Sequence, residues 1–279
     1  MAGLRLPRRV TQPRATNDLL GTFADGGAQE ARSAVAAARR AFDSTAWSRD
    51  RHRRAAALHE LADRLGHRKD ELITLPAREN GKLLAEAALE VEGTIPKLRY
   101  HAALSLTDYG RAGEMRPGMY SMTLCEAAGV AAVIVPWNSP VILPARSFAL
   151  TLAAGCTVVM KMPAQTGPVN GVLSEIIADT SSLEPGVFNV FTESGNAGAP
   201  EFVSSPDVDV VSYTGSTAVG RVIMEQATPT LKTLPMEPGI PPRESFAPGS
   251  AAAAVSCRQT RPHPVHLSRR TRTSSVVGR

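Results

Sequence analysis

Three segments of this 279-residue chain set polar or flexible residues directly after short apolar runs. Pro136-Trp137-Asn138 follows AGVAAVIV, Lys161 ends TVVMK, and Gly215-Ser216-Thr217-Ala218-Val219-Gly220 follows VDVVSYT. If the runs are strands of an open parallel sheet, these residues lie at the carboxyl ends, where such sheets bind ligands. The last segment is a glycine-bounded turn opening a helix, where free N–H groups and the helix dipole favour a phosphate. It is neither a G-x-G-x-x-G fingerprint nor a P-loop, because Arg221-Val222 stand where the latter needs Lys-Ser/Thr. Taken alone, it fits an ordinary strand-to-helix turn equally well.

The remaining reactive side chains suggest less. Cys125, Cys156 and Cys257 are spaced neither as a disulfide framework nor as metal ligands. His263 and His266 flank a Pro-Val pair in a proline-rich tail. His52, His59, His67 and His101 fall on helical segments without clustered Cys or acid partners. No metal is implied.

The elements that would position these residues are legible in the apolar periodicity. Residues 28–43 are alanine-rich without a breaker and predict a helix. Leu58, Leu61, Ala62 and Leu65 form one apolar face of a second helix, with Asp50 at its N-cap position. A third helix ends near Asn80-Gly81, the glycine suiting a left-handed exit, and a fourth covers Leu83 to Leu106. From about Gly129 onward, strands at 128–137, 157–161, 186–191 and 208–214 alternate with helices near 141–153, 168–179 and 197–204 and one opening at 215–217. This alternation predicts βαβ units, and hence an α/β fold with N-terminal helices and a doubly wound, Rossmann-like parallel sheet. Residues 109–127 read as a hairpin leaving the main body. Pro235, Pro238, Pro241 and Pro242 then arrive together, a density that strand interiors do not tolerate.

Charge separates body from ends. The net formal charge is +5, yet seven arginines lie beyond residue 242 and four in the first fourteen residues, which leaves 15–242 mildly acidic. The basic tail lacks interleaved aromatics, so disorder is expected there in preference to nucleic-acid binding. The expected organisation is a disordered basic 1–14, a helical part 15–108, the hairpin 109–127, a cofactor-binding part 128–239 and a disordered tail 240–279. No apolar run approaches the roughly 18 residues of a membrane helix, and no secretory leader is evident, so a cytoplasmic protein is expected.

Taken in order, PWNSP (136–140), AAGCTVVMK (153–161), PGVFNVF (185–191), SPDVDVVSYTGSTAVG (205–220) and LKTLPMEPG (231–239) resemble the aldehyde dehydrogenase superfamily. AAARRAFD and ENGKLLAEA upstream look like that family's N-terminal helices, and the likeness covers roughly residues 15–239. It implies oxidation of an aldehyde to its acid with NAD or NADP through a cysteine thioester, in a homo-oligomer. Asn138 matches the asparagine whose amide steadies the tetrahedral oxyanion. Lys161 matches the lysine that meets the adenosine ribose. Ala164 stands where NAD-restricted members often carry a glutamate, so NADP is not excluded. Ser216, after Gly215, matches the residue at the pyrophosphate, and Val219 the apolar wall of the adenine site. Gly195 and Gly198 match small residues beneath the dinucleotide. Pro136 and Trp137 are expected to offer backbone contacts to the cofactor.

Glu237 aligns with the general base that activates the deacylating water, although Pro238-Gly239-Ile240-Pro241 replaces the usual Leu-Gly-Gly-Lys. No Asn-x-Gly-Gln-x-Cys segment occurs, so the nucleophile and its catalytic domain are expected to be missing. The tail composition suits a GC-rich gene read in another frame. The competing expectations are an inactive dehydrogenase portion, a non-catalytic dinucleotide-binding remnant and, from a different class, a basic-tailed interaction protein. A chain of this extent is expected to aggregate in isolation and to make a doubtful oligomer.

Overall fold

A computed structural model describes residues 8–11, 19–107, 109–238 and 271–276. Most of 1–14 and of 240–279, including Cys257, His263 and His266, lies outside the described residues.

Four helices come first: α1 (Ala28–Ser44), α2 (Arg51–His67), α3 (Lys69–Asn80) and α4 (Leu84–Thr107). Asp50 caps α2 by accepting from Arg53 N. Gly81 ends α3 at φ 76°, the left-handed exit that glycine adopts without a Cβ penalty. Two short antiparallel pairs flank this unit. One joins β1 (Arg8–Thr11) to β2 (Gly21–Ala24), so residues 8–11 of the expected disordered N-terminus are strand. The other is the hairpin of β3 (Arg111–Arg116) and β4 (Met119–Cys125).

The body is then built as β5 (Val130–Ile134), α5 (Ile142–Ala153), β6 (Thr157–Pro163), α6 (Gly167–Asp179), β7 (Phe188–Glu193), α7 (Gly198–Ser204), β8 (Val210–Gly215), α8 (Thr217–Ala227) and β9 (Met236–Pro238). The sheet is parallel throughout, in the order β7-β6-β5-β8-β9. Every residue of β5 is buried, as a strand covered on both faces must be. Its alternation serves two cores. Ala132 and Ile134 join Val35, Phe202 and Ile223 on the face of α1, α7 and α8. Val133 and Val135 join Leu58, Leu98, Leu152 and Ile176 on the face of α2, α4, α5 and α6.

Two strands differ from the sequence expectation. β9 forms despite Pro235 and Pro238, because it is a three-residue strand at the sheet edge, where a missing N–H is tolerated. Residues 271–276, expected to be without regular structure, form β10 (Thr271–Val276), antiparallel to β4. Its Thr-Arg-Thr-Ser-Ser-Val sequence is rich in β-compatible residues, and β4 offers an edge that the hairpin alone leaves unpaired.

Candidate dinucleotide site at the strand ends

The strand order reverses between β5 and β8, since β5 leads by α5 to β6 on one side while β8 lies on the other. A crevice opens at such a switch point, beyond the carboxyl ends. Pro136-Trp137-Asn138 leaves β5 on one side of it, and Gly215-Ser216 leaves β8 on the other. Lys161 and Pro163 end the adjacent β6, and Glu193 ends β7. All of these belong to one rim.

The Asn138 turn is held through its backbone. Asn80 Nδ2 donates to Trp137 O at 3.1 Å, and Lys82 Nζ donates to Asn138 O and Ser139 Oγ at 3.0 Å each. Lys82 is also paired with Glu90 on α4. The second oxygen of Glu90 accepts from Val141 N at 2.7 Å and Ile142 N at 2.9 Å, at the start of α5. The Asn138 side chain is exposed and makes no hydrogen bond with the described residues. Its amide is therefore available as a donor to an oxyanion. Trp137 is half-exposed.

Across the crevice, Ser216 is the N-cap of α8 and accepts from Val219 N at 3.4 Å. Tyr213 Oη donates to Ser216 O at 3.0 Å and steadies the turn. A Cβ at Gly215 would stand 2.3 Å from that hydroxyl, so this exit requires glycine. Val219 is exposed on the first turn of α8. Gly195 is exposed after β7, while Gly198 is buried at the start of α7. Lys161 Nζ lies 3.4 Å from Glu193 Oε2.

Glu237 lies in β9 opposite Thr214 of β8. Its carboxylate pairs with Arg146 on α5, which also donates to Thr214 Oγ1 at 3.3 Å. The segment before β9 is tied down by Lys232, whose Nζ donates to the Ser205 and Val208 carbonyls. Burial lowers the pKa of that ammonium.

Neither described cysteine is at the rim. Cys156 precedes β6, is buried, and burial pushes its thiol up. Its carbonyl accepts from Trp47 Nε1 at 3.0 Å. Cys125 ends β4. Cavities of 440 Å³ and 670 Å³ also lie elsewhere, one beside Arg49, Arg51 and Cys125, the other between β2 and α6, and no candidate residue lines them.

The structure thus brings Pro136, Trp137, Asn138, Lys161, Gly195, Gly198, Gly215, Ser216, Val219 and Glu237 to the carboxyl side of one sheet. The sequence reading missed four polar partners there. Lys82 and Asn80 sit in the quoted ENGK segment, whose polar residues were visible but whose target 57 residues away was not. Arg146 and Glu193 become partners only through packing and strand order.

A model of the aldehyde dehydrogenase family matches residues 6–240. The chain belongs to that family. Among its relatives, aldehyde dehydrogenase 1 of Tanacetum cinerariifolium is 36% identical over 81% of this chain and 46% of that protein. The alpha-ketoglutarate semialdehyde dehydrogenase of Haloferax volcanii is 37% identical, over 82% of this chain and 48% of its own length. An NADP-dependent enzyme of E. coli superposes with a TM-score of 0.79 at 33% identity, over 84% of this chain and 48% of that one. A betaine aldehyde dehydrogenase from Staphylococcus aureus, solved with NAD+, also gives 0.79, at 27% identity over 83% and 46%. This aldehyde dehydrogenase family chain spans about half the length of the relatives it matches. No described helix is long and apolar enough to cross a membrane.

Proposed function

We propose that this chain is the dinucleotide-binding part of an NAD(P)-dependent aldehyde dehydrogenase. The observation that carries the reading is the β5/β8 switch point, flanked by a free side-chain amide at Asn138 and a capped helix start at Ser216. The residues present suit such a cofactor. Lys161 supplies an ammonium beside the β6 end, the first amides of α8 supply donors for the pyrophosphate, and Val219 supplies an apolar wall for the adenine. When bound, the nicotinamide of that cofactor supplies a hydride acceptor.

The chain's own residues account for the rest. The Asn138 amide donates to the oxyanion that forms as the aldehyde carbon becomes tetrahedral, and Lys82 and Asn80 fix its turn so that little reorganisation accompanies that charge. Glu237 serves as the base toward the deacylating water, with Arg146 fixing its carboxylate. The substrate is an aldehyde, the product its carboxylic acid, and the thiol that forms the thioester comes from outside the described rim. A cytoplasmic site suits the thiols of Cys125 and Cys156. The family's homo-oligomer is extended to this chain only as far as its hairpin, β3 and β4, permits.

Titration of the chain with NADH, followed by nicotinamide fluorescence, tests the reading. Saturable enhancement, reversed by AMP and weakened in Lys161→Ala, is the expected result. No binding of NADH or NADPH at millimolar concentration would overturn it. Binding without turnover of any aldehyde would favour the non-catalytic form of the same reading.

A further inference from the structure

The N-terminal strand reaches the rim of the sheet through one carboxylate. Asp25 follows β2 and meets Thr192 of β7 in a parallel bridge, and Gly26 N donates to Thr192 O at 2.8 Å. Thr192 is itself tied inward, since Asn170 Nδ2 on α6 donates to Thr192 Oγ1 at 3.1 Å and to Pro163 O at 2.7 Å. On its other side Asp25 runs into the start of α1, where Gly27 N donates to Glu30 Oε2 at 2.8 Å. The Asp25 side chain is therefore anchored from both directions, and the residue is buried. What it holds is the loop after β7. Asp25 Oδ1 accepts from Ser194 N at 2.7 Å, and Oδ2 accepts from Ser194 Oγ at 2.6 Å. At the far end of the loop, Glu193 Oε1 accepts from Ala197 N at 2.6 Å and Gly198 N at 2.9 Å. Between these points Gly195 and Asn196 are exposed, and their amides have no acceptor among the described residues. The position of Gly195 is thus set by the carboxylates on either side of it.

We infer that Asp25 is a positioning residue of the dinucleotide site, an inference that rests on the dinucleotide reading above. Asp25 does not touch the cofactor. It fixes the loop 194–197 at the carboxyl rim, so that the dinucleotide meets a loop already ordered. An unpinned loop of exposed residues, one of them glycine, has to be ordered by the ligand, and that ordering is subtracted from the affinity. Two hydrogen bonds to a buried, charged acceptor are strong for their number. One fixes the backbone where the chain leaves β7, and the other fixes the side chain of the same residue. The path of β2 supports this role over simple cover for the edge of β7. β2 lies outside the five-stranded sheet, and its bridge to β7 falls at Asp25, immediately before the loop begins. Elsewhere the two strands part, leaving the 670 Å³ cavity between Leu20–Ala24, α6 and Val190–Thr192. The N-terminal strand meets the sheet where it can hold the loop.

The test titrates NADH into the full chain and three variants, with urea midpoints measured alongside. Asp25→Ala removes both bonds and is expected to weaken NADH about tenfold at a temperature where each protein is folded. Asp25→Asn keeps an oxygen for Ser194 N and offers its amide to Ser194 Oγ, and it should recover affinity to within about threefold of wild type. Ser194→Ala keeps the backbone bond alone and should fall between the two. A carboxylate that merely staples the fold would lower the midpoint without this order of affinities. Wild-type affinity in a folded Asp25→Ala overturns the inference and leaves the dinucleotide reading standing. Asp25→Asn as weak as Asp25→Ala also overturns it, since charge rather than loop position would then matter. A wild-type chain that binds neither NADH nor NADPH removes the parent reading itself. Should Asp25→Ala not fold, amide hydrogen exchange of the wild type decides. The Ser194 amide should be protected before NADH is added, and the Gly195 and Asn196 amides only afterwards. A freely exchanging Ser194 amide, or no change at Gly195 and Asn196 on saturation, overturns the inference.

Discussion

Glu90 holds Lys82 with one carboxylate oxygen and the first amides of α5 with the other. Their side chains are 4% and 11% exposed, so the pair is buried beneath the turn that carries Asn138. Removing one member strands the other charge, which typically costs about 3–5 kcal/mol. Lys82→Ala is therefore expected to lower the urea midpoint strongly. It should also free the backbone at Asn138 and Ser139, making half-exposed Trp137 more accessible to acrylamide while fully buried Trp47 stays protected. A Lys82→Met, Glu90→Gln double variant should recover part of the stability without restoring the turn. An unchanged midpoint in Lys82→Ala would mean that the pair is dispensable.

Glu79 makes stability depend on pH. It is 6% exposed, Oε2 accepts from Val169 N at 3.3 Å, and Oε1 has no hydrogen-bond donor among the described residues. Burial pushes its carboxyl from 4.5 to about 8, against the lowering effect of the Val169 amide. The folded state then binds the proton more tightly than the unfolded chain, so stability declines as pH rises from about 4.5 to about 8 and is flat above that. Glu79→Gln, which cannot ionise, should remove this slope and be the more stable protein at pH above 8. Urea unfolding of both proteins across that range checks it, and parallel profiles would refute the assignment.

Glu60 shows the opposite sign. Against a burial penalty, hydrogen bonds from Ser182, Ser181 and Arg64 hold its carboxyl at about 2. Its contribution is complete above the unfolded value of 4.5 and is lost as pH falls through about 2. Glu60→Gln should therefore cost stability at neutral pH and cost progressively less below pH 4.5. The carboxylate is partly exposed, with a fifth of its side chain in contact with solvent, so solvent screening keeps the effect small. Thermal melts at neutral and acidic pH measure it, and a constant difference between the two would count against this cause.

These groups also mark what could be read from the sequence. The β5 run and the helix with Leu58, Leu61 and Leu65 were legible because burial on one or both faces leaves a periodicity in a single strand or helix. The ends of the β5, β6 and β8 runs then drew attention to Asn138, Lys161 and Ser216. Glu193 and Arg146 carry no such local mark, since each acquires its partner through a different element, β6 for one and β9 for the other. Prolines near residue 238 argued against a strand, but that argument holds for interiors and β9 is an edge.

Ser216 joins the fold to the proposed ligand. Its hydroxyl is a long N-cap bond to Val219 N, so Ser216→Ala should cost about 0.5–1 kcal/mol of stability, at the low end for caps. NADH binding should weaken by more than that loss explains if, as proposed, the same helix start meets the pyrophosphate. Ser216→Gly is expected to cost only a few tenths of a kcal/mol and to bind better than the alanine variant. Melting curves and NADH titrations of the two variants separate cap from contact. Equal affinity in all three proteins would place the pyrophosphate elsewhere.

β10 covers the edge of β4 that β3 leaves open, with Thr271 opposite Cys125 and Val276 opposite Tyr120. Without it, β4 presents a row of unpaired N–H and C=O groups, the template on which sheets grow between molecules. The adjoining face is apolar as well as exposed, since Tyr120, Met122 and Leu124 alternate on one side of β4 at 58%, 44% and 46% exposure. Deleting residues 271–279 is therefore expected to drive concentration-dependent association, visible as a rising mass in light scattering behind a sizing column. Met122→Lys in the same deletion places a charge on that face and should return the chain toward lower mass. A deletion protein that remains monodisperse over the concentrations where the full chain is monodisperse would show that β10 does not protect this edge.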